Sequence, residues 1–233
     1  MPPPGSPFSA TSPSSSSAGA LDSTTHGTDI GAVGLRAAPT RLSARLADGA
    51  HPDARRAYDL ARETFVAGGR IDMGGLASSL GVDRTSVFRW VGNRDDLLAE
   101  VLWSLAVPTL GQADRATAHL GGAERVAALL THFATDLIAA DYFRDFLRRE
   151  PARALRLLTT KASPIQRRYT ATAEWLVRTH LGDAPFDGAI DPPTLAYLLV
   201  RVSESFTYAD LIAGEDPSGE AARTAFRHLL RVA

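Results

Sequence analysis

The stretch that decides the fold runs Asp72-Met73-Gly74-Gly75-Leu76-Ala77-Ser78-Ser79-Leu80-Gly81-Val82-Asp83-Arg84-Thr85-Ser86-Val87-Phe88-Arg89-Trp90-Val91-Gly92-Asn93-Arg94-Asp95-Asp96-Leu97. Three helix starts are written into it. Asp72, Asp83 and Asn93 each carry an N-cap side chain, which accepts a backbone N–H from the turn that follows. Ile71 with Leu76, and Val82 with Val87, have the spacing of a hydrophobic staple, one residue before the cap and four after it. Asp95 and Asp96 place negative charge in the first turn of the third helix, where the macrodipole favours it. Gly81 sits in the turn between the first two. Two short helices joined by about three residues have the geometry of a helix-turn-helix.

On a helical wheel over 84–91, Val87 and Val91 fall about 40° apart and face the core. Arg89 and Ser86 lie opposite, flanked by Thr85 and Trp90. The outer face thus carries a guanidinium, two hydroxyls and an indole, all suited to base edges or phosphates. Arg84, Arg89 and Arg94 stand against Asp83 alone over 83–94, so this patch is basic although the whole chain has a formal charge of −1.

The pattern Leu76-Ala77, Leu80-Gly81-Val82, Val87-Phe88 and Asn93-Arg94-Asp95-Asp96-Leu97-Leu98 resembles the TetR family of one-component transcriptional regulators. The resemblance implies an all-α fold: an N-terminal three-helix DNA-binding unit, then a linking helix and a larger helical ligand-binding and dimerisation domain. It implies DNA contacts from Arg84, Thr85, Ser86, Phe88, Arg89, Trp90 and Arg94, with Arg84 and Arg94 on phosphates. Phe88 stands where the family usually has Tyr, and Val91 where it has an aromatic, which alters the contacts on offer. The run Leu195–Pro217 is similar to the ligand domain of QsdR-type regulators, a group associated with control of quorum-signal lactone breakdown. A lactone-type signal is therefore one effector class the resemblance suggests. The partners it implies are a palindromic double-stranded operator, a second copy of the chain and a small-molecule effector, with no membrane and no cofactor.

Outward from the motif, composition sets the boundaries. Residues 1–28 hold 5 Pro, 8 Ser, 3 Gly and 4 Thr, too polar to offset backbone entropy, and the whole of 1–50 reads as a disordered extension. Within it, Arg36, Arg41 and Arg45 with Leu42 and Leu46 leave three readings open: a short frayed helix, a basic arm reaching DNA, or a solvated linker. Residues 51–93 read as the DNA-binding unit and 94–233 as the ligand and dimer unit. Helical periodicity predicts helices from about 53 to 67, then over 73–80, 84–91, 94–109, 122–149, 151–160, 163–180, 192–213 and 218–231. No stretch alternates long enough to argue for a sheet.

In the second half, residues 192–213 have two apolar faces, as expected of a helix packed within its subunit on one side and against a partner on the other. Glu204 lies near the centre of one face. It reads either as an ion pair with Arg201 or as a ligand-orienting carboxylate in a cavity lined by Tyr197 and Tyr208. Trp103, Phe143, Phe146 and Trp175 complete the candidate ligand set as large apolar side chains, each equally readable as core. Arg148, Arg149 and Glu150 before Pro151 read as a solvated helix end.

Other classes find little support. The chain has no cysteine, which excludes thiolate metal sites, disulfides and cysteine nucleophiles. No Gly-x-Ser-x-Gly, His-Glu-x-x-His or phosphate-binding Gly-rich loop occurs, and the six histidines show no ligand spacing, so an enzyme is not expected. No apolar run approaches the roughly 20 residues of a membrane span, and the N-terminus lacks a secretory signal, so a cytoplasmic protein is expected. The expected function is a ligand-released homodimeric repressor. Its rivals are a DNA-binding dimer without an effector, and an α-helical enzyme on the same fold.

Overall fold

The computed structural model describes residues 30–232, all helix and connecting turns, with no strand among them. Two helices, α1 (Ile30–Ala37) and α2 (Arg41–Asp48), precede the expected three-helix unit of α3 (Pro52–Val66), α4 (Met73–Leu80) and α5 (Arg84–Val91). The long α6 (Arg94–Ala116) leads into α7 (Gly122–Ala139), α8 (Asp141–Arg149), α9 (Pro151–Thr159), α10 (Ile165–Leu181), α11 (Pro192–Thr207), α12 (Ala209–Ile212) and α13 (Gly219–Leu229).

The caps act as the sequence predicts. Asp72 accepts the Gly75 N–H at 2.6 Å, Asp83 accepts that of Ser86 at 2.8 Å, and Asn93 accepts those of Asp95 and Asp96 at 2.8 and 3.0 Å. Gly81 closes α4 at φ +68°, with nothing within 4 Å of a would-be Cβ, so glycine is there for its backbone freedom alone. Behind the turn, Leu76, Ala77, Val87 and Val91 are buried with Ala57, Ala61 and Phe65 of α3 in one core.

Three expectations need correction. Where residues 1–50 read as disordered, the described part, 30–50, contains two docked helices; residues 1–29 lie outside the described residues. Ile30 and Leu42 are buried, and α1 packs on both α6 and α10. A Cβ at Gly34 would sit 2.5 Å from the Trp103 ring and 2.9 Å from the Arg168 carbonyl, which shows how closely α1 approaches. Next, α6 runs past Pro108 and Gly111 to Ala116, because Leu105, Ala106, Leu110 and Ala113 are buried along it. Finally, the single helix expected over 122–149 is two, bent by 67° at an extended Ala140. The bend carries Phe146 to 5.5 Å from Phe65, which ties α8 to the three-helix unit.

Candidate nucleic-acid interface and effector cavity

Helix α5 turns Val87 and Val91 fully inward and leaves Arg84, Thr85, Phe88 and Arg89 exposed, with Ser86 and Trp90 half-buried. The cap governs how the two polar side chains of the first turn are used. Ser86 donates its hydroxyl to Asp83 Oδ2 at 3.0 Å as well as its backbone N–H to Oδ1, so it stiffens the helix start rather than projecting. Those bonds hold the Asp83 carboxyl below its ordinary range. Arg84 lies over the Phe88 ring at 5.3 Å, which pre-orders an aromatic and a cation side by side on the outer face. The last turn is tied down from outside: Arg45 of α2 donates to the Arg89 and Trp90 carbonyls at 2.5 and 2.7 Å.

Arg94 departs from its expected role. Its side chain is only 14% exposed and turns inward, with Nε on the Ile71 carbonyl at 2.5 Å and both terminal nitrogens on Glu150 at 2.5 and 2.6 Å. A guanidinium used on three acceptors inside the protein is not presented to a phosphate. Glu150 likewise belongs to no solvated helix end. Its carboxyl is held below the usual range, chiefly by the Arg94 hydrogen bonds against the opposing pull of burial. Beside it, Asp95 pairs with Arg153 and Arg156; burial raises its carboxyl, and the two guanidiniums outweigh that and lower it. The start of α6 is thus clamped ionically to α8 and α9.

Further along, α6, α7, α10 and α11 line a cavity of about 40 Å³, on a measure where one water needs roughly 10–15 Å³. Leu110, Leu130, Phe133, Leu137, Leu176 and Val200 make its walls apolar; Tyr169, Thr172, Glu204, Thr207 and Tyr208 supply polar atoms. Thr172 Oγ1, Thr207 Oγ1 and Glu204 Oε1 are buried without a hydrogen-bond partner, and all three belong to this lining. Arg201 takes the other Glu204 oxygen at 2.5 Å. Burial nevertheless pushes the Glu204 carboxyl up to about 7, against the opposing charge of Arg201.

Residues 121–231, α7 through α13, match the family described as tetracyclin repressor-like, C-terminal domain. The chain is also similar to the structure of the R. erythropolis transcriptional repressor QsdR from the TetR family. That likeness has a TM-score of 0.66 and 27% identity over 79% of this chain and 97% of the other. No curated protein matches by sequence. Both likenesses support a TetR-family regulator.

The candidate ligand residues separate into two groups. Glu204 and Tyr208 line the cavity, and Glu204 is at the same time ion-paired with Arg201. Trp103, Phe143, Phe146, Trp175 and Tyr197 do not line it. Trp103 packs on Tyr169 at 5.4 Å with its other surroundings in α1 and Arg168; Phe143 faces Tyr208 at 6.2 Å; Phe146 faces Phe65. Trp175 is half-buried against the core, and Tyr197 is 50% exposed under Arg201. Size alone selected Trp103, Phe143, Phe146 and Trp175, and large rings are what a core needs; Tyr197 enters by its place on the Glu204 face of the helix, and that part of the face is exposed. Thr172 and Thr207 are the additions, since small hydroxyls carry no sequence signal of their own; Arg45, read as part of a possible basic arm, instead holds the end of α5.

Proposed function

We propose that the protein is a homodimeric repressor whose α5 helices enter successive major grooves of a palindromic operator, released by a small molecule bound among α6, α7, α10 and α11. The outer face of α5 carries the DNA reading: Arg84, Thr85, Phe88 and Arg89 are exposed on a helix whose inner side is locked by Val87 and Val91. Arg89 is the candidate for base edges and Arg84 for phosphate, with half-sites about one helical turn apart. On a selected duplex, Arg89→Ala is expected to cost about 1–3 kcal/mol and relax preference at one position, whereas Arg84→Ala weakens all duplexes alike and lowers the salt slope by about one. Equal losses on every duplex for both variants would overturn the assignment.

The dimer reading draws on α11, where Tyr197 and Leu198 are exposed large apolar side chains on one line with Arg201. The effector reading draws on the cavity, where three orphaned polar atoms beside apolar walls suit a small amphipathic molecule with a hydrogen-bond-donating head toward Glu204. Its body would have to part the walls, since the cavity as it stands holds only a few waters. A coupling of about 1–3 kcal/mol between that site and DNA would weaken operator affinity roughly 5–150-fold. Ala173→Leu, which takes up the space the effector needs, should abolish release. Release that survives the substitution would place the effector elsewhere, and a dimer that no small molecule releases would favour the assembly-only reading.

A further inference from the structure

Besides α6, the α1–α2 pair makes a second connection between the end of α5 and the wall of the cavity. At one end, Arg45 holds the carbonyls of Arg89 and Trp90. The last carbonyls of a helix lack intrahelical partners, and a cation there also suits the macrodipole, so this guanidinium adds a restraint on the end of α5 to that of the buried Val91. At the other end, Thr40 caps α2 by accepting the Ser43 N–H at 2.9 Å and donates its hydroxyl to Glu100 Oε1 at 2.5 Å. Glu100 is in turn bidentate with Arg168 of α10, at 2.7 and 3.0 Å, and Arg168 Nε donates to the Ala38 carbonyl between α1 and α2 at 3.0 Å. Arg168 is fully buried, so this junction has one well-defined arrangement. The residues just beyond it on α10, Tyr169, Thr172 and Ala173, line the cavity.

We propose that α2 is a positioning strut for the base-reading helix, with Arg45 as its working end and the Thr40–Glu100–Arg168 junction as its anchor on the cavity wall. Arg45 acts through α5, not on DNA. A shift of α10 on filling the cavity moves the Ala38 and Thr40 contacts, and α2 passes that movement to the Arg89 and Trp90 peptide groups. This route is additional to the clamp of α6 on α8 and α9. It rests on the reading of α5 as the helix that contacts bases.

The test compares wild type, Arg45→Ala, Thr40→Val and the double variant, each first checked for native helix content and melting. Specific and random duplexes are titrated over a range of salt, and amide hydrogen exchange is followed in the free protein. Arg45→Ala is expected to lower the ratio of specific to non-specific affinity about 10-fold with the non-specific salt slope unchanged. Amides at 88–92 should exchange faster with no DNA present. Thr40→Val should move both readouts the same way, and the double variant should do little more than Arg45→Ala, as parts in series require. Uniform weakening on all duplexes, with the salt slope reduced by about one, would make Arg45 a phosphate contact and overturn the strut. So would unchanged exchange at 88–92. If wild type shows no sequence preference, the reading of α5 fails, and the exchange result alone upholds or overturns the strut.

Discussion

Replacing Arg168 with methionine perturbs the most buried ionic group in the described fold. Arg168 is 0% exposed and Glu100 4%, and they share two hydrogen bonds; Arg168 makes a third to the Ala38 carbonyl. Arg168→Met keeps most of the side-chain volume and leaves the Glu100 carboxylate buried with the Thr40 hydroxyl as its remaining hydrogen-bond donor. An uncompensated buried charge of this kind costs about 3–5 kcal/mol. For a chain of this size each kcal/mol lowers Tm by roughly 2–4 °C, which puts the loss at about 6–20 °C. Adding Glu100→Leu removes the stranded charge, so the double variant should fall short of the summed single losses by about 1–3 kcal/mol. Urea unfolding at one fixed protein concentration measures both, since the apparent stability of the proposed dimer would depend on concentration. A loss below about 1 kcal/mol for Arg168→Met, or additivity of the pair, would refute the claim that this junction anchors α1 and α2.

Gly81→Ala meets no steric obstacle but must adopt φ +68°, so it should destabilise by about 1–2 kcal/mol and weaken duplex binding; a neutral result in thermal melts would contradict the turn geometry. Glu204 keeps its proton to about pH 7 when folded, against an ordinary value of 4.5, so the folded state binds the extra proton between those values. Its contribution to stability therefore falls as pH rises through that window. The difference between wild type and Glu204→Gln in urea midpoint should be pH-dependent between about 4.5 and 7 and flat above; a flat difference throughout would show that the carboxyl is not buried as described. Arg94→Ala should cost about 1–3 kcal/mol by taking away the two hydrogen bonds it makes to Glu150, which keeps Arg153 and Arg70, while leaving the salt slope of DNA binding unchanged. Because the Glu150 carboxyl is depressed from 4.5, the stability it gains from Arg94 is present above that pH and lost as pH falls through the lowered value. A reduced salt slope would return Arg94 to the phosphate backbone.

The helix-turn-helix was legible because its signals are local. Asp72, Asp83, Gly81 and Asn93 act within three or four residues of themselves, and α4 and α5 have the bounds their caps and staples predict. The fate of Arg94 was not legible, because its partner Glu150 lies 56 positions away on a segment whose periodicity says only that it is a helix end. The same holds for α1 and α2, whose short apolar content looks insufficient for order until Arg168, 130 positions from Ala38, closes the junction. The cavity is a product of four helices meeting. Wheel analysis of one helix found Glu204 and Tyr208, while Thr172 and Tyr169 reach the same space from α10 and Phe133 from α7. Gly111 failed to break α6 for a related reason: burial along the helix outweighs the roughly 1 kcal/mol that a mid-helix glycine costs.

The central claim is that the exposed face of α5 reads a specific duplex. Selection of bound duplexes from a random pool, run in parallel with wild type and Arg89→Ala, tests it most directly. Enrichment of one palindromic site by wild type, lost in the variant, is the predicted result. A pool that stays random with wild type at low salt, or the same site enriched equally by both proteins, would contradict it.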